Sequence, residues 1–163
     1  MEVWDIIDEK GNKTGRTIVR GEKLQDGDYH LVVHVWIVND KNEFLIQKRA
    51  DHLKIMPGLW ATTGGSAILG EDSKTAAVRE AKEELGVNID ISNMTKVKRI
   101  NKKDNLADVW LVRQNILFEE VVVQEEEVSE AKWAGKDEIK TMVESGIFFD
   151  YGDEYFDNIF KLN

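Results

Sequence analysis

Residues Gly65–Val87 read GSAILGEDSKTAAVREAKEELGV, and the spacing of glycine, arginine and glutamate in this stretch decides the fold. The first glutamate follows Gly65 after five residues, and the triplet Arg79-Glu80-Ala81 follows that glutamate after seven more. Glu83-Glu84 comes one residue later, and the stretch closes on a glycine and a valine. The pattern predicts one helix that carries several carboxylates at fixed positions.

Helical geometry gathers three of these acids on one side of the helix. At about 100° per residue, Glu83 and Glu84 fall roughly 60° to one side and 40° to the other side of Glu80. The basic residues of the helix lie elsewhere on the wheel, so we expect no neutralisation of the acids from within the helix. The adjacent sector of the helical wheel carries apolar side chains, as a stripe that faces the core requires. Its residues are Ala77, Val78, Ala81 and Leu85. The acids are therefore expected at the rim of a cleft.

A solvated acidic face is the ordinary alternative for a helix rich in glutamate, and the flanking residues argue against it. Gly64-Gly65 permits close approach of the backbone to a ligand. Asp72 and Ser73 are both N-cap residue types, and Gly86 suits the left-handed end of a helix. Glu71 precedes the helix and could face the same cluster, with an arginine available to pair with it.

The stretch resembles the Nudix box, and every fixed position of that family signature is filled, with Ala81 in the hydrophobic slot. The resemblance implies an α/β fold, a Nudix-type α/β/α sandwich with a mixed β-sheet. It also implies hydrolysis of a diphosphate linkage by water that attacks phosphorus, with Mg²⁺ as cofactor and Mn²⁺ as a possible substitute. Carried over by position, the metal set is Glu80, Glu83 and Glu84, with Glu71 in the outer shell and the Gly64 carbonyl as a further ligand.

The resemblance also implies which residues take part in catalysis and which bind the substrate. Glu83 is a catalytic candidate, Arg79 would orient the carboxylates, and a general base could come from a late loop. The triplet Glu125–Glu127 is the matching region, and we choose Glu127, although such a triplet is ordinarily a solvated loop. The expected contacts to the substrate phosphates are Lys48, Arg49, Gly64 and Gly65.

Composition agrees with a small-molecule enzyme. At 163 residues, 42% of them hydrophobic, the chain is expected to form one Nudix domain over residues 1–163. It has no cysteine, which excludes disulfides and thiolate metal sites, and its net charge of −9 argues against nucleic acid as a partner. No apolar run approaches the ~18 residues of a membrane span, so we expect a soluble, cytoplasmic protein whose partner is a small diphosphate.

Hydrophobic periodicity predicts the remaining elements. An N-terminal β-hairpin over residues 2–7 and 14–19 precedes a central strand over 31–38, and the hairpin or an exposed sheet edge could support a homodimer. His34, inside that strand, is expected to be a hydrogen-bonded core residue. Further strands are expected at 43–49, near Trp60, and at about 94–101, 107–118 and 128–134, with helices at 136–145 and 150–161.

Two other activities stay open. Residues 30–65 and the hairpin resemble isopentenyl diphosphate isomerase, but the catalytic cysteine expected after Pro57-Gly58-Leu59-Trp60 is absent, and His30 alone cannot form its metal site. A non-catalytic Nudix domain that senses a nucleotide is the other alternative, although such domains generally lose the box acids retained here. Within the hydrolase interpretation, a nucleoside di- or triphosphate is the first expected substrate, and a nucleotide sugar or other organic diphosphate is the second.

Overall fold

The chain begins with an antiparallel hairpin and continues into a larger mixed sheet, in a computed structural model that describes residues 1–161. In the hairpin, β1 (Val3–Ile7) pairs with β2 (Lys13–Val19). Asp8 closes the turn between them, because its Oδ1 accepts the backbone N–H groups of Lys10 and Asn12, each at 2.9 Å. The hairpin is confirmed, and its second strand begins one residue before the predicted boundary.

The larger sheet is built around a central parallel pair of strands. Its strands are β3 (His30–Val38), β4 (Glu43–Arg49), β5 (Trp60–Ala61), β6 (Thr63–Ser66), β7 (Met94–Asn101), β8 (Asn105–Arg113) and β9 (Val128–Gly135). The order across the sheet is β5-β4-β3-β8-β7, with β6 paired to β3 and β9 paired to β4. β3 runs parallel to β8, and the other pairings are antiparallel.

Helices cover both faces of this sheet. They are α1 (Ser73–Leu85), α2 (Lys136–Glu144) and α3 (Asp153–Phe160). Alternate residues of β3 face opposite ways, so Val35 packs in the cluster of α1, whereas Trp36 packs in the cluster of α2 and α3. The predicted α/β/α sandwich is therefore confirmed. Among residues 1–161, none of the helices has the length and apolarity that crossing a bilayer requires.

β3 and β4 separate soon after they meet, and this opening positions the candidate site. In the described chain the two strands share one register pair, Val38 opposite Phe44. Further along, β6 pairs with β3, whereas β5 pairs with β4. Thr62 crosses between the two sides, and its Oγ1 donates to the Val35 carbonyl at 2.7 Å. We call this opening the β3–β4 split.

Two predicted elements differ from the structure by three or more residues at one end. The strand expected over 107–118 runs from Asn105 to Arg113, and it ends there because its parallel partner β3 ends opposite it at Val38. The helix expected over 150–161 begins only at Asp153. Gly152 precedes it at φ 102°, a left-handed conformation that is incompatible with a helix.

Candidate active site

The box helix α1 is capped at both ends as the sequence predicts. Asp72 is the N-cap, and its side chain accepts the Thr75 backbone N–H at 2.8 Å. Ser73 is the first helical residue instead, and its hydroxyl accepts the indole N–H of Trp110 at 2.8 Å. Gly86 ends the helix at φ 68°, the left-handed conformation that favours glycine. These caps fix where the glutamates of the helix emerge.

Glu84 points into the β3–β4 split and is only 3% exposed. Its Oε1 accepts the Gly64 backbone N–H at 3.0 Å, and its Oε2 accepts an N–H of the Gln47 amide at 3.2 Å. Burial raises the pKa of Glu84 to about 8, and the charge of Glu80 adds to that rise. A carboxylate is thus held in a place where its negative charge is unfavourable without a cation.

Glu80 lies beside Glu84 and shares its environment. It is 8% exposed, and burial raises its pKa to about 7, although the nearby Arg79 guanidinium partly opposes that rise. Gly65 packs against this carboxylate so closely that a Cβ at position 65 would overlap it. A Cβ at Gly64 would instead overlap the Val33 carbonyl oxygen. Gly64 is therefore required by close packing against the backbone, whereas a side chain at position 65 would displace the Glu80 carboxylate.

Arg79 partly neutralises the cluster from within the helix, contrary to our expectation. Its Nη1 donates to Glu80 at 3.0 Å and to Glu83 at 3.1 Å. Its Nε and Nη2 donate to the two carboxylate oxygens of Glu71 at 2.7 and 2.9 Å, which confirms the predicted pairing with Glu71. The expectation failed because a helical wheel records only the direction of each residue, whereas an arginine side chain is long enough to reach its i+1 and i+4 neighbours.

Glu71 contributes an acceptor at the start of the box. Besides Arg79, its Oε1 accepts the Ile68 backbone N–H at 2.8 Å. Burial alone would raise the pKa of Glu71, but these hydrogen bonds outweigh that effect and the pKa is lowered. Glu71 is thus an ionised partner that fixes Arg79, one step removed from Glu80 and Glu84.

The acidic triplet before β9 lies next to the cluster. The Gln124 backbone N–H donates to the Glu84 carbonyl at 3.1 Å, and the Ala50 N–H donates to the Glu127 carbonyl at 2.9 Å. The Glu127 side chain is exposed, and its charge helps to raise the pKa of both Glu80 and Glu84. The structure therefore brings Glu127 to the open side of the site.

Lys48 and Arg49, unlike Glu127, make their contacts away from the Glu80 and Glu84 carboxylates. The Lys48 Nζ lies 3.6 Å from a carboxylate oxygen of Glu130. Strand alternation places Lys48 on the sheet face opposite Gln47, and hence away from Glu84. The Arg49 Nε donates to the Ile55 carbonyl at 3.0 Å, in the loop that follows β4. Their contact with substrate stays a prediction.

His34 is half-buried and is hydrogen-bonded to the core residue Tyr155, as the sequence predicts. The Tyr155 hydroxyl accepts the indole N–H of Trp36 at 2.8 Å and lies 2.8 Å from His34 Nδ1. The hydroxyl proton is free to point at the imidazole, so Tyr155 can donate to Nδ1 of the tautomer that carries its proton on Nε2. Burial lowers the pKa of His34 to about 4, so the ring is neutral near pH 7.

Sequence reasoning missed Gln47 and Thr63, which complete the surroundings of Glu84. The Thr63 hydroxyl donates to Gln47 Oε1 at 3.1 Å, and both residues are buried. The available signal was a glutamine directly after Phe44-Leu45-Ile46, at a strand position that shares the face of Leu45. A polar residue on a buried strand face needs a partner, and that partner is the box glutamate.

The donor set suits a divalent cation with oxygen ligands, as the box predicts. Within residues 1–161, no three acidic or histidine side chains converge closely enough to hold an ion in their present rotamers. The Arg79 guanidinium lies between Glu80 and Glu83 and donates to both of them. Glu80 and Glu84 nevertheless form a buried pair with raised pKa values, and a cation would relieve both their burial and their repulsion.

Comparison with known proteins identifies the family. The family model described as NUDIX domain matches residues 28–149. The chain belongs to the Nudix family. An uncharacterised Nudix hydrolase of Listeria monocytogenes is 39% identical over 152 residues, which cover 93% of this chain and 90% of the relative. The chain is accordingly a Nudix-type hydrolase, and Nudix hydrolases generally use divalent metal ions.

Other relatives of this Nudix chain match it in part or in fold. The isopentenyl-diphosphate Delta-isomerase of Citrobacter koseri is 31% identical over 93 residues, 56% of this chain and 50% of the isomerase. The crystal structure of DR0079 from Deinococcus radiodurans superposes with a TM-score of 0.77 at 21% identity, covering 95% and 97% of the two chains. The NUDIX domain of Shewanella oneidensis NrtR, complexed with ADP ribose, gives 0.64 at 16% identity, covering 89% and 92%. The two structures establish the fold, and the isomerase match confirms the partial resemblance.

Proposed function

We propose that this protein hydrolyses a diphosphate linkage in a nucleoside di- or triphosphate or a related organic diphosphate, with Mg²⁺ as cofactor. The observation that carries the proposal is the buried pair Glu80 and Glu84. Two buried carboxylates with raised pKa values destabilise the fold when they are ionised, unless a bound cation offsets their charge. Oxygen ligands of this kind are what Mg²⁺ prefers, and Mn²⁺ is an expected substitute. The proposal takes residues 1–163 as one Nudix domain.

The ion would be held by the box glutamates. Glu80 and Glu84 are the principal ligands, Glu83 is a third, and Glu71 acts through Arg79 from the outer shell. When bound, Mg²⁺ would neutralise the phosphate oxygens and make phosphorus more open to attack by water. Arg79 keeps Glu80 and Glu83 oriented, because the same guanidinium donates to both of them.

Glu127 is the proposed general base. It stands at the exposed edge of the cluster, where water and substrate can reach it, whereas Glu84 is buried. A general base must lie within hydrogen-bonding reach of the attacking water, and a carboxylate beside the diphosphate meets that need. In this scheme Glu127 takes a proton from the water as the oxygen–phosphorus bond forms, and the leaving phosphate carries away the electron pair. Glu83, half-exposed on α1, is the alternative base.

The substrate is proposed to place its diphosphate beside the box glycines. Gly64 and Gly65 lie against Glu84 and Glu80, so a phosphate near the ion would also be near these two residues. Arg49 is the proposed phosphate contact from the loop after β4, and Lys48 is retained with less structural support because it faces Glu130. A nucleotide sugar belongs among the candidates, since the NrtR domain of the same fold binds ADP ribose.

The test is a substrate panel. The protein is incubated with Mg²⁺ and nucleoside di- and triphosphates, dinucleotides, ADP ribose, other nucleotide sugars and isopentenyl diphosphate, and the products are separated by anion-exchange chromatography. Cleavage of a dinucleotide or a nucleotide sugar yields two phosphate monoesters and no free phosphate, so the products themselves must be identified. We expect turnover of at least one compound, and a loss of several orders of magnitude in kcat for Glu84→Gln. Glu144→Gln, an exposed change on α2, is the matched control and should keep the wild-type rate.

Two outcomes would replace the proposal. No turnover of any compound, together with a thermal shift on nucleotide binding, would indicate a nucleotide-sensing domain. Conversion of isopentenyl diphosphate without hydrolysis would indicate an isomerase.

A further inference from the structure

Gln47 joins the strand side of the β3–β4 split to the box helix. It is 2% exposed and lies on β4 directly after three buried apolar residues. Its amide nitrogen donates to Glu84 Oε2 at 3.2 Å, and its amide oxygen accepts from Thr63 Oγ1 at 3.1 Å. A buried amide needs partners at both ends, and here one of those partners is a proposed metal ligand.

The direction of the Gln47 amide is determined by its two neighbours. The ionised form of Glu84, which is the form that would bind a cation, can only accept hydrogen bonds, so the NH₂ end of the amide must face it. The Thr63 hydroxyl then donates to the opposite end. Rotating the amide would set its oxygen against the carboxylate, which is unfavourable, so the orientation is fixed.

Glu84 is consequently held at both oxygens. The Gly64 backbone N–H binds Oε1 at 3.0 Å, and the Gln47 amide binds Oε2. One donor would fix the position of the carboxylate but leave it free to rotate, whereas two donors from different strands also fix its plane. The lone pairs that these donors do not use then have a defined direction.

We propose that Gln47 is a positioning residue that sets the orientation of Glu84 for a divalent cation. The inference rests on the proposed function, because it concerns the same ion. It differs from an ordinary structural role in one respect: loss of the amide should weaken ion binding beyond any effect on stability. Partners that orient metal ligands typically change affinity by about 10–100-fold when they are removed.

The experiment measures Mn²⁺ binding directly, by titration calorimetry at pH 7.5 without substrate. Gln47→Met keeps the length of the side chain and removes both hydrogen bonds. We expect its dissociation constant for Mn²⁺ to rise by about 10–100-fold. In hydrolysis assays the Mg²⁺ concentration for half-maximal rate should rise by a similar factor, while kcat at saturating Mg²⁺ should change much less.

Two further variants separate positioning from stability. Tyr155→Phe removes buried hydrogen bonds to Trp36 and His34 on the opposite face of the sheet, so it should lower stability but bind Mn²⁺ as the wild type does. Thr63→Val keeps Gln47 but releases its amide oxygen, so its Mn²⁺ affinity should lie between those of the wild type and Gln47→Met. It also serves as the deciding variant if Gln47→Met does not fold.

The outcomes distinguish this inference from the proposed function. Wild-type protein that binds Mn²⁺, with Gln47→Met and Thr63→Val binding equally well, would overturn the role of Gln47 alone. An equal loss of affinity in Tyr155→Phe would also overturn it, because the effect would then follow stability. Wild-type protein that does not bind Mn²⁺ would overturn the proposed metal site itself.

Discussion

Replacing Glu84 by glutamine should stabilise the metal-free protein at alkaline pH even though it abolishes hydrolysis. The carboxylate is 3% exposed, and burial together with the charge of Glu80 raises its pKa from 4.5 to about 8. Between those two values the folded state holds more protons than the unfolded state. Stability of the wild type therefore falls as the pH rises through this window, and a neutral amide removes that dependence.

The size of the effect follows from the pKa. At about 1.36 kcal/mol for each pH unit, the cost of ionising Glu84 in the fold reaches about 4–5 kcal/mol well above pH 8 and is below about 1 kcal/mol at pH 5. This is a ceiling, because the new amide must replace the bond from Gln47. Gln47 can turn its oxygen toward the substituted side chain and its NH₂ toward the Thr63 hydroxyl, which is able to accept. We expect a net gain of about 1–3 kcal/mol at pH 8.5.

Urea unfolding in EDTA, followed by the fluorescence of the 5 tryptophans, measures this gain. For a domain of this size it corresponds to a Tm increase of about 3–9 °C. Glu83→Gln is the control, because that side chain is 49% exposed and its pair with Arg79 should contribute less than about 0.5 kcal/mol. A Glu84→Gln protein that is less stable than wild type at pH 8.5, or that gains equally at pH 5, would refute the reasoning.

Three other changes test separate parts of the structure. Gly65→Ala places a Cβ against the Glu80 carboxylate and should strongly weaken Mn²⁺ binding and hydrolysis. Position 135 has open space around it, so the control Gly135→Ala should keep both activities. Equal activity of the two variants would contradict the packing at Gly65. Ile159→Ala removes a fully buried side chain of α3 and should lower the free energy of unfolding in urea by about 2–5 kcal/mol. The hydrolysis rate per folded molecule should stay unchanged. Asp72→Ala should cost about 1 kcal/mol by removing the cap of α1, and Asp72→Asn should recover most of it; a similar loss in both would mean that the cap hydrogen bond is unimportant.

Local patterns predicted the helix and its caps well, since each depends on residues a few positions apart. Asp72, the acids and Gly86 lie within one segment, and their spacing alone determines where they stand on α1. The strands at 43–49 and 94–101 coincide with those of the structure for the same reason. The strand expected to continue to residue 118 stops early, because it ends where its neighbouring strand ends. Which strand is its neighbour cannot be read from residues a few positions apart.

The contacts inside the site could not be predicted from such local patterns, because they join residues that are distant in the sequence. Gln47 and Glu84 are 37 residues apart, and alternation along β4 says only that the glutamine faces inward. What it faces depends on the β3–β4 split, which is set by pairings of four different strands. The interactions of Arg79 required a different correction, because they depend on the reach of its side chain more than on its angle around the helix.

The amide proton of Gly64 gives the protein a built-in spectroscopic reporter. Most backbone amides in a sheet bond to carbonyl oxygens and exchange with solvent when strands open, but this one bonds to a side-chain carboxylate. Its NMR shift and its hydrogen-exchange rate should therefore follow the charge and movement of Glu84 while neighbouring amides of β3 stay constant. Events at the carboxylates can thus be observed in the unmodified protein, without a substrate and without a label on the site.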